Sequence, residues 1–146
     1  MYLVFDTETT GLPQNFNAPI SDSDNWPRLV QLAWQLHDDQ GYLIHARNEI
    51  VYPDGFDIPF NSEKIHGIST TKARAEGRPL NDVLDEFYAD VAQASHGVGH
   101  NIEFDYNIVG AELWRMDRHN DAETFMALPP IDTKNDATTE YCAIPG

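Results

Sequence analysis

At 146 residues, 41% hydrophobic and 11% aromatic, the chain is predicted to form one domain with a hydrophobic core, and no apolar run is long enough to cross a bilayer. Nine Lys and Arg against 24 Asp and Glu give a net charge of −15, which excludes tight non-specific binding of duplex nucleic acid and favours an acidic metal-binding or protein-interaction module. Because the N-terminus has no secretory-signal pattern and the lone Cys142 cannot form an internal disulfide, we expect a cytoplasmic protein without membrane contact.

The first stretch joins a β-prone apolar run at 3–5 to two carboxylates, Asp6 and Glu8. Residues two apart on an extended backbone point to the same side, so both carboxylates are expected on one strand face. Their repulsion is most simply offset by a divalent cation, and oxygen ligands suit Mg²⁺ or Mn²⁺. Spacing alone also fits a solvated face, but the end of an apolar strand favours a ligand cleft. The Thr-Thr-Gly run at 9–11 then ends the strand beside this cleft with hydroxyl and N–H groups that suit a phosphate or sugar.

A β-hairpin is predicted next along the chain. The polar, proline-containing segment 12–27 has no helical or alternating period and reads as a loop. Residues 28–37 alternate apolar and polar, which predicts a half-buried strand, and 38–41 is a turn. The returning strand is predicted at 42–52.

The middle of the chain is predicted to be helical. Two short helical pieces are expected within 56–77, and Pro79 is expected to open a longer helix with an apolar stripe and an acidic, solvated outer face. The stripe is Leu80, Val83, Leu84, Phe87 and Val91, and the outer acids are Asp82, Asp85, Glu86 and Asp90.

A glycine-interrupted strand at 96–101 is predicted to lead into a helix at 102–118. Asp105 falls in the first turn of this helix, where the macrodipole is expected to keep its carboxylate ionised. A loop at 120–130, a strand at 131–133 and weak helical signals thereafter complete the prediction. The buried set of the helix is predicted to be Phe104, Ile108, Val109, Leu113, Trp114 and Met116.

Two motifs resemble one known family. The string FDTETTG at 5–11 and the His-Asn-x-x-Phe-Asp pattern at 100–105 resemble the DEDD-type 3′–5′ exonucleases of the DEDDh group, in particular the epsilon subunit of bacterial DNA polymerase III. The resemblance implies an α/β, ribonuclease H-like fold whose mixed central sheet of about five strands is flanked by helices. Compared with the family, the 12–27 loop looks like an insertion near the cleft mouth.

The resemblance also implies the chemistry. Asp6, Glu8 and Asp105 are expected to be the catalytic residues and the ligands of two divalent ions, Mg²⁺ or Mn²⁺. The expected substrate is the 3′ end of single-stranded DNA, cut into mononucleotides during proofreading or repair, with a DNA polymerase subunit as a partner. A capped histidine is the alternative reading of His66. The residues expected to bind substrate are Thr7, Thr9, Thr10, Gly11, His66, Asn101 and Phe104.

A third family motif, a His or Tyr followed at fixed spacing by an acid, is not found. The last histidine, His119, is followed five residues later by Thr124. The chain is therefore expected to be a single exonuclease-like domain, 1–146, that is C-terminally incomplete and lacks the last helices. Such a form should bind metal weakly and cleave slowly or not at all. Two alternatives are a catalytically impaired, acidic nuclease-like module and an exoribonuclease of the same fold.

Overall fold

The computed structural model describes residues 1–134 of the chain, which form five strands and five helices. No helix in this part is long and apolar enough to cross a membrane. The weak helical signals predicted near the C-terminus lie outside the described residues. The elements are β1 (Tyr2–Thr9), β2 (Leu29–His37), β3 (Leu43–Ile50), α1 (Phe60–His66), α2 (Thr70–Glu76), α3 (Leu80–Val91), β4 (His96–Gly99), α4 (Ile102–Arg115), α5 (His119–Met126) and β5 (Pro130–Asp132).

The strands form one mixed sheet in the order β3-β2-β1-β4-β5. β1 pairs antiparallel with β2 and parallel with β4, so the first strand of the chain is the central one. β4 accompanies β1 only from Tyr2 to Val4, whereas β2 follows it as far as Thr9. The second half of β1 is therefore free of a strand on its β4 side, and α4 begins there. The predicted α/β, ribonuclease H-like fold is confirmed.

An aromatic cluster fills the core between the sheet and its helices. Phe5 of β1 packs edge-on against Phe87 of α3 and Tyr106 of α4, with ring centroids 5.8 and 5.4 Å apart. Phe125 of α5 contacts all three of these rings. The alternation predicted for β2 holds, since Trp34 and its apolar neighbours two residues away are fully buried. The packing of these rings thus fixes the position of β1 along α4.

The two short helices predicted before residue 77 are present. Ser69 caps α2 by accepting a hydrogen bond from the backbone N–H of Lys72 at 3.0 Å. Gly67 ends α1 with a φ of 77°, a left-handed conformation that favours glycine. A hydrogen bond holds α1 against the end of β1, since the hydroxyl of Ser62 donates to the carbonyl of Thr10 at 2.6 Å.

The prediction of a loop at 120–130 is wrong, because α5 occupies most of this segment. The segment opens with Asn120 and Asp121 and ends in two prolines, which favour a loop, although Ala122, Phe125 and Met126 stand at helical spacing. Tertiary packing decides the structure here, since Phe125 and Ala122 are buried against the core. Met116 was expected in the core but is 39% exposed, because α4 ends before it at Arg115.

Asp90 was predicted on the solvated face of α3 and is instead 4% exposed. Its carboxylate accepts the indole N–H of Trp34 at 2.7 Å and lies 2.6 Å from Nε2 of His45. Both partners come from the sheet, Trp34 from β2 and His45 from β3, so the spacing along α3 could not reveal them. The buried carboxylate is paired, as a buried polar group must be to avoid a large penalty.

Glu112 of α4 is a second buried carboxylate, with no exposed surface. It accepts Nε of Arg28 at 3.0 Å, the backbone N–H of Leu29 at 3.1 Å and a guanidinium N–H of Arg115 at 2.5 Å. Arg28 in turn pairs through its backbone with Thr10 at the end of β1. Glu112 thereby ties α4 to the end of the central strand.

Candidate active site

The end of β1 carries the two predicted acids. Asp6 is exposed, Thr7 is only 8% exposed, and Glu8 is half-buried. This alternation is what an extended strand produces, and Thr7 points to the helix side together with Phe5. The acids therefore lie on one strand face, separated by a residue that points into the protein.

Asp105 meets the strand at that intervening residue. It lies in the first turn of α4 and is 3% exposed. The hydroxyl of Thr7 donates to its carboxylate at 2.5 Å. The second motif is thus joined to the first across 98 residues of sequence. The contact places Asp105 beside the residue between Asp6 and Glu8.

The pKa of Asp105 is raised from an ordinary value of 3.8 to about 7, chiefly by burial and in smaller part by the negative charges of Asp6 and Glu8. The hydrogen bond from Thr7 acts in the opposite direction but is outweighed. The expectation that the helix macrodipole keeps this carboxylate ionised does not hold fully for the protein without metal, because a pKa of about 7 leaves part of it protonated at neutral pH. Desolvation of a nearly buried charge exceeds the stabilisation available from a helix terminus.

Glu8 shows the same effect more weakly. Burial raises its pKa above the ordinary value, and the neighbouring Asp6 adds to this, while His66 lowers it. The negative charge of Asp6 therefore acts on both Glu8 and Asp105, and a positive charge placed among the three acids would stabilise their ionised forms. His66 also contributes to Glu8 an opposing, favourable interaction.

A hydrogen-bonded turn follows the acids. Nε2 of His66 lies 3.2 Å from the carbonyl of Thr9, and the N–H of Ile68 donates to its Nδ1 at 3.1 Å. In the neutral imidazole, Nδ1 therefore accepts and Nε2 donates, and these two hydrogen bonds fix the orientation of the ring. The N–H of Arg28 donates to the hydroxyl of Thr10 at 2.9 Å. Both threonines are thus held by neighbouring elements.

A cavity of about 230 Å³ adjoins this turn, and we call it the terminal pocket. It brings together five of the seven residues predicted to bind substrate, while Thr10 and Asn101 lie outside it. Leu12 and Ile65, at 75% and 84% exposed, form an apolar part of the lining that the sequence analysis missed. Their signal was an apolar residue directly after the motif and another just before His66. The lining is Thr7, Glu8, Thr9, Gly11, Leu12, Ser62, Ile65, His66 and Phe104.

A larger cavity of about 830 Å³ lies on the other side of β1 and is lined by Asp6, Val98 and His100, among others. The turn between β4 and α4 borders it. Asn101 there has a φ of 56°, and its N–H donates to the carboxylate of Asp132 at 2.8 Å. This bond fixes the point at which α4 starts, and with it the first turn that contains Asp105.

The donor chemistry of the acids fits a divalent cation, since carboxylate oxygens are what Mg²⁺ and Mn²⁺ prefer and all three acids gain from a nearby positive charge. As placed within residues 1–134, however, no group of three or more His, Cys, Asp or Glu side chains could hold a metal ion. The hydrogen bond from Thr7 keeps the carboxylate of Asp105 turned into the protein. The assignment of Asp6, Glu8 and Asp105 as ligands therefore stays a prediction.

The central strand β1 of the mixed sheet ends in two acids, and a third acid lies on α4, the helix that follows the parallel neighbour β4. This arrangement defines an α/β ribonuclease H-like domain of the nuclease type. Residues 3–134 match the exonuclease family, and the chain belongs to that family. The predicted membership of the DEDD-type exonucleases is confirmed.

Relatives with known names agree with this family. The DNA polymerase III PolC-type of Streptococcus suis (strain 98HAH33) is 31% identical over 141 residues, which are 96% of this chain and 8% of that protein. The metal-free form of an E. coli exonuclease I complex with single-stranded DNA has a TM-score of 0.74 at 19% identity, covering 99% of this chain and 30% of that one. Exonuclease I with a dT13 oligonucleotide gives 0.71 at 18% identity, covering 90% and 27%. The chain thus spans less than a third of each of these relatives.

Proposed function

We propose that the protein is a metal-dependent 3′–5′ exonuclease that removes mononucleotides from single-stranded DNA. The observation that carries this proposal is the contact of Asp105 with Thr7, between Asp6 and Glu8 and beside the terminal pocket. It joins the two family motifs at one place. Complexes of the structurally similar E. coli exonuclease I with oligonucleotides support DNA as the substrate.

Asp6, Glu8 and Asp105 would hold divalent ions. When bound, such ions lower the pKa of water and offset the negative charge that develops on the phosphate and the departing oxygen. Asp105 must lose its proton to serve as a ligand, so its pKa of about 7 makes the site sensitive to pH near neutrality.

The terminal pocket would orient the last nucleotide. Leu12, Ile65 and Phe104 offer apolar surface to a base or sugar, and such contacts tolerate any base. Nε2 of His66 faces the carbonyl of Thr9, so this side chain would stabilise the turn and is not placed as a general base.

The charge of the protein limits how much of the strand it grips. Six arginines form ion pairs with carboxylates, namely Arg28, Arg47, Arg74, Arg78, Arg115 and Arg118. Few cations are therefore left for phosphates, which fits recognition of a strand end and not of a long duplex. The likeness to a PolC-type polymerase supports a proofreading role in which a polymerase supplies the rest of the DNA track.

The test incubates Mn²⁺ and a single-stranded oligonucleotide labelled at its 5′ end with the protein expressed from its complete reading frame, because the 146 residues alone are expected to cleave slowly or not at all. The wild type should shorten the labelled strand stepwise from its 3′ end. A ladder of shorter strands that keep the 5′ label reports the 3′–5′ direction. Asp6→Ala should lower the rate by at least about a hundredfold, because it removes a metal ligand. Asp82→Ala, an exposed acid on α3, is the matched control and should leave the rate unchanged. Cleavage that survives Asp6→Ala would overturn the proposal.

A second candidate is an acidic, nuclease-like module that binds without cutting. It is favoured by the lack, within the described residues, of a group that could hold a metal, and by the third motif missing from the sequence. Binding of the oligonucleotide without Mn²⁺-dependent shortening would select this module. An exoribonuclease is the third reading, and the same assay with an RNA oligonucleotide of equal sequence separates it from a DNA-directed enzyme.

A further inference from the structure

A cavity of about 580 Å³ lies apart from the candidate active site. It forms where the start of β2 meets the segment after β3, the first turn of α3 and the end of α4, and its lining includes Arg28, Tyr52, Asp54, Leu80 and Met116. It shares no lining residue with the terminal pocket. Cavities of roughly 300–1,000 Å³ are typical of small-molecule sites. We call it the arginine cavity.

The guanidinium of Arg28 has unused hydrogen-bond donors. Its Nε donates to Glu112 at 3.0 Å, and within residues 1–134 its two terminal nitrogens, Nη1 and Nη2, make no hydrogen bond. In the five other arginines of this region, a terminal nitrogen lies 2.5–3.6 Å from a carboxylate oxygen. The terminal edge of Arg28 presents two parallel N–H donors, which match the two oxygens of a carboxylate. Arg28 can therefore pair with a ligand without losing its contact with Glu112.

The guanidinium of Arg28 is also held in place. Its central carbon lies 4.5 Å from the centroid of the Phe56 ring, which is a cation–π contact. The backbone N–H of Arg28 donates to the hydroxyl of Thr10 at 2.9 Å, and the side chain is only 29% exposed. Little conformational entropy is therefore lost when a ligand pairs with this side chain, which favours affinity.

The local charge suits a ligand with one negative charge. Arg28 and Arg115 share the buried carboxylate of Glu112, and two positive charges against one negative leave +1 in a protein of net charge −15. The exposed carboxylate of Asp54 also lines the cavity and repels further negative charge. A phosphate monoester carries about −1.5 to −2 at pH 7, whereas a carboxylate carries a single charge. The cavity should therefore prefer a carboxylate.

Apolar surface lies beside this charge. Leu80 is half-buried, and Tyr52 and Met116 are 41% and 39% exposed. Covering these side chains with the apolar body of a ligand removes apolar surface from water, which is favourable. The flexible thioether of Met116 can adapt to the shape of that body. Apolar walls with a few fixed polar groups are typical of small-molecule sites.

We propose that the arginine cavity binds a small monoanionic carboxylate. The two carboxylate oxygens pair with the terminal nitrogens of Arg28, and the apolar body of the ligand lies against Leu80 and Met116. This site goes beyond the proposed nuclease function, since it uses neither the three acids nor the terminal pocket. Its failure would leave the nuclease proposal untouched.

The test is an NMR titration in EDTA at pH 8 of the protein expressed from its complete reading frame, with ¹³C in the methionine methyl groups. Three probes share a phenylpropyl body and differ in their head groups: 4-phenylbutyrate, the neutral 4-phenylbutanol and the dianionic 3-phenylpropyl phosphate. The resonance of Met116 is assigned by its loss in Met116→Leu. 4-Phenylbutyrate should shift this resonance saturably and leave that of Met126 on α5 unchanged.

The head groups should rank in a definite order. 4-Phenylbutanol should bind at least about tenfold more weakly than 4-phenylbutyrate, because it lacks the charge-assisted hydrogen bonds to Arg28. 3-Phenylpropyl phosphate should bind about 2- to 5-fold more weakly than 4-phenylbutyrate, because its second charge is repelled by Asp54.

Two substitutions test the residues. Arg28→Lys keeps a positive charge for Glu112 but loses the two-donor edge, so 4-phenylbutyrate should bind at least about fivefold more weakly. Asp54→Asn removes a like charge and should tighten binding by about 2- to 5-fold. The matched control is Glu123→Gln, which neutralises an exposed acid of α5 outside the cavity and should leave the affinity unchanged. Because Asp54 is exposed, its variant should keep the melting temperature of the wild type.

The proposal is overturned if 4-phenylbutyrate produces no saturable shift at Met116, or if 4-phenylbutanol binds equally well. Tighter binding of the phosphate than of the carboxylate would also overturn it, since the cavity would then not select a single charge. An Asp54→Asn variant that binds 4-phenylbutyrate no more tightly than Glu123→Gln would have the same consequence. This last comparison holds even if Arg28→Lys disturbs the packing around Glu112.

Discussion

Replacing Asp105 with Asn should stabilise the metal-free protein at alkaline pH. Asn keeps a side-chain oxygen that can accept the hydroxyl of Thr7, but it removes a charge from a site that is 3% exposed. The pKa of Asp105 is raised from 3.8 to about 7. Above neutral pH this difference corresponds to at most about 4 kcal/mol of free energy of unfolding, and after local relaxation we expect about 1–3 kcal/mol.

The sign of the pH dependence follows from linkage. Because the pKa is higher in the folded state, the folded protein holds this proton more tightly than the unfolded chain. The stabilising contribution of Asp105 is full below its unfolded pKa and is lost as pH rises through about 7. The advantage of Asp105→Asn should accordingly be small near pH 4 and reach its maximum by about pH 8.

Urea unfolding in EDTA, followed by tryptophan fluorescence at a series of pH values, measures this difference. Asp82→Asn is the matched control, since it neutralises an exposed acid. Adding Mn²⁺ should stabilise the wild type but not Asp105→Asn, because binding to the folded state alone raises its stability. The reasoning is refuted if Asp105→Asn is no more stable than the wild type at pH 8, or if its gain does not vary with pH.

Three further substitutions test the packing that positions the site. Gly97→Ala places a Cβ 2.2 Å from the hydroxyl of Tyr106 and should cost about 1–3 kcal/mol in urea unfolding, less in a Tyr106→Phe background. Asp90→Ala leaves the indole N–H of Trp34 buried without its partner, so chemical denaturation should show a loss of about 1–3 kcal/mol. Glu112→Ala removes the acceptor of two arginines and should cost about 3–5 kcal/mol by the same measurement, and a neutral result would show that water replaces it.

Local patterns in the sequence were sufficient for most of the elements. The FDTETTG string predicted a strand that ends in two acids, and the alternation at 28–37 predicted β2 with its buried face. The apolar stripe after Pro79 predicted α3, and the second motif predicted the start of α4. These signals depend on period and turn chemistry, which are properties of neighbouring residues.

The tertiary structure alone decided what distant residues do to one another. The sequence determined that Asp6, Glu8 and Asp105 are present in family motifs, but burial decided that Asp105 has a raised pKa. Likewise Asp90 of α3 lies in the core because Trp34 of β2 and His45 of β3 contact it. Desolvation and cross-chain hydrogen bonds depend on which surfaces meet in the fold, and no local period along the chain encodes that.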